Sequence, residues 1–401
     1  MKYIQDPKQK RRFISGLIFL VIMTMILLEE LGLGFIENDR AAGISVYKEE
    51  QVAPGLNLFC SRDEPRAFLQ HPDGRIIHEW HTLVGGSRKR GWHHVELLPS
   101  GNLFAIVKDK GLLKLNKNSD RIWQSPGGFH HDLDITPDET ILILERRLTD
   151  ITWQGKTFPV LGEFIVFLSP SGERLNHLSL TEILLPLVPD AHLNAAREFA
   201  KTHPRKELTN NTKADIFHMN TIELLRSDLM GIPAFSGVLL SAREIDTIFI
   251  IDLKTGELVW SFGPGILDHQ HQPTFLPNGN ILIFDNGFSR GFSRVVEVNP
   301  QTQEVVRTTD RVQGKSFFSI KQGGSQWLSN RNLLLVSGER AVALEITPTN
   351  KVVWAYKNPG YHLVRSRTMP LIERRGTIYR MERIEDPARL SFLNSPTPPI
   401  P

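Results

Sequence analysis

Apolar and polar positions alternate in short runs along most of the chain beyond residue 45, and Pro, Asn, Asp or Gly breaks each run. Such runs, joined by tight turns, predict β-hairpins. Two kinds recur. One covers residues 93–104, 130–142, 218–225, 271–282 and 325–334; four copies open on His93, His130, His218 and His271, and the fifth on Ser325. The other covers 67–80, 112–123, 165–175, 248–260, 295–306 and 342–354, with Trp80, Trp123, Trp260 and Trp354 closing four of the copies. Each Trp is expected to pack between neighbouring units.

Turns of the second kind recur about every 45 to 50 residues, the spacing of four-stranded propeller blades. The fold predicted is all-β, a six-bladed β-propeller. A longer gap between the third and fourth copies is filled by an insertion at 181–213, where residues 190–201 read as a short helix. Only five inner hairpins are evident, so the sixth blade is expected to be shared, with 56–80 giving its outer strands and 361–384 closing the ring. If the inner hairpins face the axis, their histidines converge there.

The N-terminus adds a second feature. Lys2, Lys8, Lys10, Arg11 and Arg12 precede an uncharged apolar run at 13–28, followed by Glu29 and Glu30. Basic residues before such a run place the N-terminus in the cytoplasm and the remainder outside. The run is short for a spanning helix of about 20 residues, but 31–36 can extend it. The division expected is a basic N-terminus (1–12), one transmembrane helix acting as signal anchor (13–36), a linker (37–44), the propeller (45–385) and a Pro-rich tail (386–401). The propeller would then be extracytoplasmic, periplasmic in a bacterium.

Composition narrows the functional classes. With 40% hydrophobic and 23% charged residues the chain can bury a large core. A formal charge of +3, with no basic stripe interleaved with aromatics, gives no support to nucleic-acid binding. The lone Cys60 excludes an internal disulfide and reads as a small buried residue. His71 and His78, on an outer hairpin, read as surface residues.

One stretch carries more than generic hairpin sequence. It runs Asp215-Ile-Phe-His218-Met-Asn220, Ser241-Ala-Arg243, Thr255-Gly-Glu-Leu-Val-Trp260, Gln270-His271, Asp285-Asn-Gly287 and Arg290, and ends Ser293-Arg-Val-Val-Glu297. In kind and order these motifs resemble the arylsulfate sulfotransferase family, exported six-bladed propellers that move a sulfuryl group between phenols without a nucleotide cofactor. The resemblance implies an aryl sulfate or phenolic substrate, no cofactor and no metal. It implies catalytic roles for His218, His271, Arg243 and Arg290, with Asn220 of the same motif as a substrate contact; His94 and His131 begin comparable strands and are candidates to line the channel and touch substrate on that ground. Such residues suit the chemistry: directional cations stabilise charge on the equatorial sulfuryl oxygens, and a histidine attacks sulfur or protonates the leaving phenolate.

The family's bacterial enzymes carry their nucleophilic histidine in the blade after the Asp-Asn-Gly turn. Here residues 316–354 contain no histidine. Another residue takes that role, transfer is direct, or activity is lost. The competing readings are therefore a silent propeller that binds an anionic ligand or partner, and an enzyme with a metal held by convergent histidines. Ordinary roles also stay open: Arg243 and Arg290 can pair with Asp285 or Glu297, and Asp285-Asn-Gly287 can be only a turn. Oligomeric state is not legible.

Overall fold

Why both faces of these strands are apolar is explained by six radial sheets stacked side by side. The computed structural model describes residues 42–83, 91–208, 213–364 and 372–394. Blade 1 comprises, from the axis outward, Met381–Ile384, Leu56–Cys60, Arg66–Gln70 and Ile76–His81. Blade 2 comprises His94–Leu97, Leu103–Val107, Gly111–Leu115 and Arg121–Pro126, and blade 3 Phe129–Ile135, Ile141–Trp153, Lys156–Leu168 and Arg174–Ser179. Blade 4 holds Met219–Leu224, Gly237–Ala242, Thr247–Asp252 and Leu258–Phe262, and blade 5 His271–Phe275, Ile281–Asp285, Arg294–Asn299 and Glu304–Thr309. Blade 6 holds Gly324–Trp327, Leu333–Ser337, Val342–Ile346 and Val352–Lys357, with Gly43–Tyr47 as a fifth, outermost strand.

A separate apolar layer fills each of the six interfaces between blades. Three of the predicted tryptophans also carry a polar tie. Trp354, Trp80 and Trp123 donate their indole N–H groups to Pro72, Gly101 and Pro170 carbonyls, each on the next blade, at 2.7, 3.1 and 3.1 Å. Trp260 packs in the same way without such a partner. Cys60 is buried beside the Trp92 carbonyl, and burial pushes its thiol up to about 12, which fits a packing role.

Several boundaries differ from expectation. The ring is closed by Met381–Ile384 alone; Tyr361–Val364 and Ile372–Arg375 form a separate two-stranded hairpin. Pro387–Asn394, within the expected tail, is a 3-10 segment whose Phe392 packs on Trp80. His78 is correspondingly half-buried, edge-on to Phe392. Gly43–Tyr47 begins inside the stretch read as a linker. The second and third strands of blade 3 run on as a hairpin of two 13-residue strands, and the inserted helix Asp190–Thr202 turns Leu193, Ala196 and Phe199 inward. No helix among the described residues is long and apolar enough to cross a membrane, and the expected anchor at 13–36 lies outside them.

A buried ion pair holds the closure. Arg383, on the closing strand, pairs with Glu345 of blade 6 at 3.2 Å, both side chains fully buried. Its guanidinium also donates to Asn57 Oδ1 and to the Ala53 carbonyl, each at 2.6 Å. Glu345 in turn accepts from the Ala53 N–H at 2.7 Å. Arg383→Ala is expected to destabilise the propeller by about 3–5 kcal/mol, since Glu345 would remain buried without its cation. Denaturant unfolding checks this, and the double change Arg383→Met with Glu345→Leu should cost less than Arg383→Ala alone.

Candidate active site at one mouth of the channel

Each inner strand begins, and each second strand ends, at the same mouth of the ring. Residues at these ends leave the regular ladder. His131 and His218 take φ values of 56° and 50°, in the left-handed region that few non-glycine residues adopt. Their side chains are thereby re-aimed toward their neighbours. The ring centroids of His93 and His131 are 4.3 Å apart, those of His131 and His218 4.8 Å, and those of His93 and Tyr379 4.4 Å. Blades 2, 3 and 4, with the segment leading into the closing strand, thus meet at His131.

The hydrogen bonds define which ring nitrogen is free. The His131 backbone N–H donates to His93 Nδ1 at 3.0 Å, so the proton of neutral His93 is on Nε2. His218 Nδ1 lies 2.6 Å from Asp215 Oδ2 and donates to it, leaving a lone pair on Nε2. His271 Nδ1 lies 2.7 Å from Asn286 Oδ1 and 3.1 Å from the His269 carbonyl, both acceptors. Asn286 is oriented by donating its amide to the Ser319 and Gln322 carbonyls. His271 Nε2 is therefore also unprotonated. Behind the cluster, His130 Nε2 meets Glu163 Oε2 at 2.9 Å and His130 Nδ1 meets His131 Nδ1 at 2.5 Å.

Burial keeps these imidazoles neutral. It pushes His93 and His131 well below the ordinary histidine value, and His130 and His271 down to about 3. Burial lowers His218 too, against the pull of Asp215. For Asp215 burial acts upward, but His218 and Arg146 outweigh it and hold the carboxyl well below the carboxylate range.

Around the histidines stands a set of cations, each just past the second strand of its blade: Arg62 on blade 1, Lys108 on blade 2 and Arg243 on blade 4. Their charges act on the cluster, Arg62 and Lys108 on His93, Lys108 on His131, Arg243 on His218 and His271. Arg243 pairs with its neighbour Glu244. Neither Arg62 nor Lys108 has a carboxylate in ion-pair range among the described residues. Burial, with Arg146 and Arg62 nearby, lowers Lys108 to about 8. His218 and His271, neutral and with free Nε2 lone pairs, stand beside cations of which Arg62 and Lys108 lack a carboxylate partner among the described residues, an arrangement suited to an anion and to nucleophilic or base chemistry upon it.

The expected site residues separate on this geometry. His131, His218, Arg243 and His271 face this mouth. His94 points deeper, 3.3 Å from Asp132, and it is His93 of that doublet that joins the cluster. Asn220 is buried between blades, donating to the Gln270 carbonyl at 2.8 Å. Arg290 pairs with Asp285 at 3.0 Å beneath its turn, the structural alternative considered for it. Lys108, Arg62, Tyr379 and the His130–Glu163 pair were not anticipated. Registering the second-strand ends against the histidine repeats would have drawn attention to Arg62, Lys108 and Arg243. Among the described residues, side chains gathered closely enough to hold an ion are Asp246, Asp268 and His269.

Beyond the histidines the channel opens into a cavity of about 300 Å³ lined by Glu96, Asp132, Asp134, Glu223 and Glu382, with Arg380 at 2.9 Å from Asp132. Burial raises four of these carboxyls: Glu96, also facing Glu382, to about 8, Glu223 to about 7, Asp132 to about 6, and Asp134 above its ordinary value.

The ring and its axial site define an all-β propeller with a histidine-and-cation mouth. A sequence model of the arylsulfotransferase (ASST) family matches residues 94–359, and the chain belongs to that family. No curated protein matches it. Among solved structures, it is similar to a Bacteroides caccae protein of unknown function at 15% identity and TM-score 0.52, covering 82% of this chain and 98% of that one. A streptogramin B lyase matches at 11% identity and TM-score 0.46, covering 84% and 92%. Virginiamycin B lyase from Staphylococcus aureus matches at 9% and 0.44, covering 86% and 97%. The first of these likenesses supports the fold alone.

The acidic cavity yields a prediction with a definite sign. A carboxyl whose folded pKa is raised contributes stability that is present below its unfolded value and lost as pH rises through the folded one. For Glu223 and Glu96 that loss is complete by about pH 7 to 8. Glu223→Gln is therefore expected to raise Tm by about 2 °C at pH 8 and to give no gain at pH 4. Thermal melts of both proteins across this range check it.

Proposed function

We propose that the histidine mouth transfers a sulfuryl group from an aryl sulfate to a phenolic acceptor, on a propeller held outside the cytoplasm by the segment 13–36. Family membership supports the class of reaction. The observation that carries the reading is the meeting of neutral His93, His131 and His218 beside Lys108 and Arg243. The cations hold the sulfate oxygens and answer the charge that develops on them and on the leaving phenolate. The free Nε2 atoms of His218 and His271 accept the acceptor's proton. Blade 6 brings Ser325 and Gln322 toward the axis instead of a histidine, which favours a binding-only propeller as the second reading.

The test is release of nitrophenol from para-nitrophenyl sulfate with phenol as acceptor. The wild type should turn over, and His218→Ala should lower kcat by about a hundredfold or more. Binding of the donor by calorimetry without turnover would instead support the binding-only propeller. Turnover also has an expected pH dependence. Lys108, at about 8, loses its charge as pH rises, so kcat/KM should fall above about pH 8. In Lys108→Arg, which stays charged, that fall should move to higher pH or vanish.

A further inference from the structure

We propose that His131 is the nucleophile, its Nε2 taking the sulfuryl group while His130 and Glu163 hold its Nδ1 as a positioning relay. This rests on the sulfuryl-transfer reading above. It answers the question left by the blade without histidine.

The geometry favours His131 over its neighbours. It is the hub of the cluster, with His93, His130, His218 and Tyr379 all packed on its ring. It is also backed by two fully buried polar groups in series. Burial, with Asp215 nearby, raises Glu163 well above the carboxylate range, and in the reactive form, in which Glu163 has given up its proton, His130 donates from Nε2 to the carboxylate and accepts at Nδ1 from His131 Nδ1–H. That chain fixes the tautomer of His131 and leaves its Nε2 lone pair facing the mouth. Glu163 is itself anchored, since Oε1 accepts the Met219 N–H at 3.2 Å beside His218. Sulfation of Nε2 would make the ring cationic in a buried site. Passing the Nδ1 proton along the relay to the ionised Glu163 removes that charge. His218, tied to an Asp215 that Arg146 also holds at 3.2 Å, is set up as a base.

The two half-reactions balance. The Nε2 lone pair forms the N–S bond, the S–O bond to the aryl group breaks, and the electron pair leaves on the phenolate oxygen. The Lys108 ammonium supplies the proton that makes it a phenol. The acceptor's hydroxyl oxygen then attacks sulfur, His218 Nε2 takes its proton and passes it on to restore the Lys108 ammonium, and the N–S electron pair goes back to His131 Nε2. Any proton moved along the relay returns to Nδ1.

The test incubates full-length protein with para-nitrophenyl sulfate and no acceptor, quenches it in alkali, and reads intact mass and peptide masses. Wild type should release one equivalent of nitrophenol in a burst and carry one SO3 group, mapped by fragmentation to His131. His131→Asn, chosen because Asn tolerates the positive φ at this position, should fold and show neither burst nor label. Glu163→Gln should still be labelled at His131, at least about tenfold more slowly, with an altered pH profile for the burst. A label on His130, His218 or His271, or an unchanged burst in His131→Asn, overturns the assignment while the transferase reading stands. If His131→Asn does not fold, the mapped site in the wild type decides. No nitrophenol from any of the proteins, with acceptor or without, overturns both.

Discussion

Six sheets can share an axis only if each satisfies the free edge of its innermost strand, where backbone N–H groups would otherwise face the channel unpaired. Side chains from the preceding blade meet this demand. Asp132 and Asp134 of blade 3 accept the Ile222 and Leu224 N–H groups of blade 4, at 3.1 and 2.7 Å. Thr221 and Glu223 of blade 4 accept those of Gln272 and Phe275 on blade 5, both at 3.1 Å. Gln326 of blade 6 accepts from Arg383 of blade 1 at 2.8 Å. Latching with carboxylates makes one part of the channel acidic as a consequence of ring assembly. The raised carboxyls of that cavity are thus the cost of a structural solution.

This polarity bears on the other end. With Arg380 committed to Asp132, the acidic cavity offers an anion little welcome. Arg62, Lys108 and Arg243 stand at the histidine mouth, where the same ring geometry places the ends of the second strands. Burial within the ring strips the histidines of charge without stripping their hydrogen-bond partners. On the proposed reading the mouth separates two tasks: the cations attract the anion, and the neutral imidazoles remain free to act on it.

Much of the ring was legible because its demands are local. Alternation and turns located the hairpins, and Trp80, Trp123 and Trp354 marked blade contacts because a large ring with one N–H suits a strand edge facing a turn. The site was less legible because it depends on departures from the ladder. Alternation treats His93 and His94 as equivalent candidates, and only the turn into the strand decides that His93 reaches His131. Arg290 and Asn220 lie in motifs that read as catalytic, yet Asp285 and the Gln270 carbonyl hold them in framework bonds. Lys108 shows no motif of its own. Glu163 lies in a strand extension whose partners, His130 and Met219, are distant in sequence.

The missing histidine of blade 6 takes on a different meaning once the histidines are placed. They come from the contiguous blades 2, 3, 4 and 5, and form an arc around the mouth. Tyr379 enters from the segment before the closing strand and packs on His93 and His131, extending the arc at the end away from blade 5. Within it every Nδ1 is already engaged: by a backbone N–H at His93, by a histidine at His131, by a carboxylate at His218 and by an amide at His271. The partners differ, so the rings differ in what a second bond at Nε2 would cost. A ring whose partner can take up a proton tolerates becoming cationic best, and His131 has the longest buried route to a carboxylate. Chemistry lost from one blade can therefore be carried by another, provided that its polar support is built into the interface behind it.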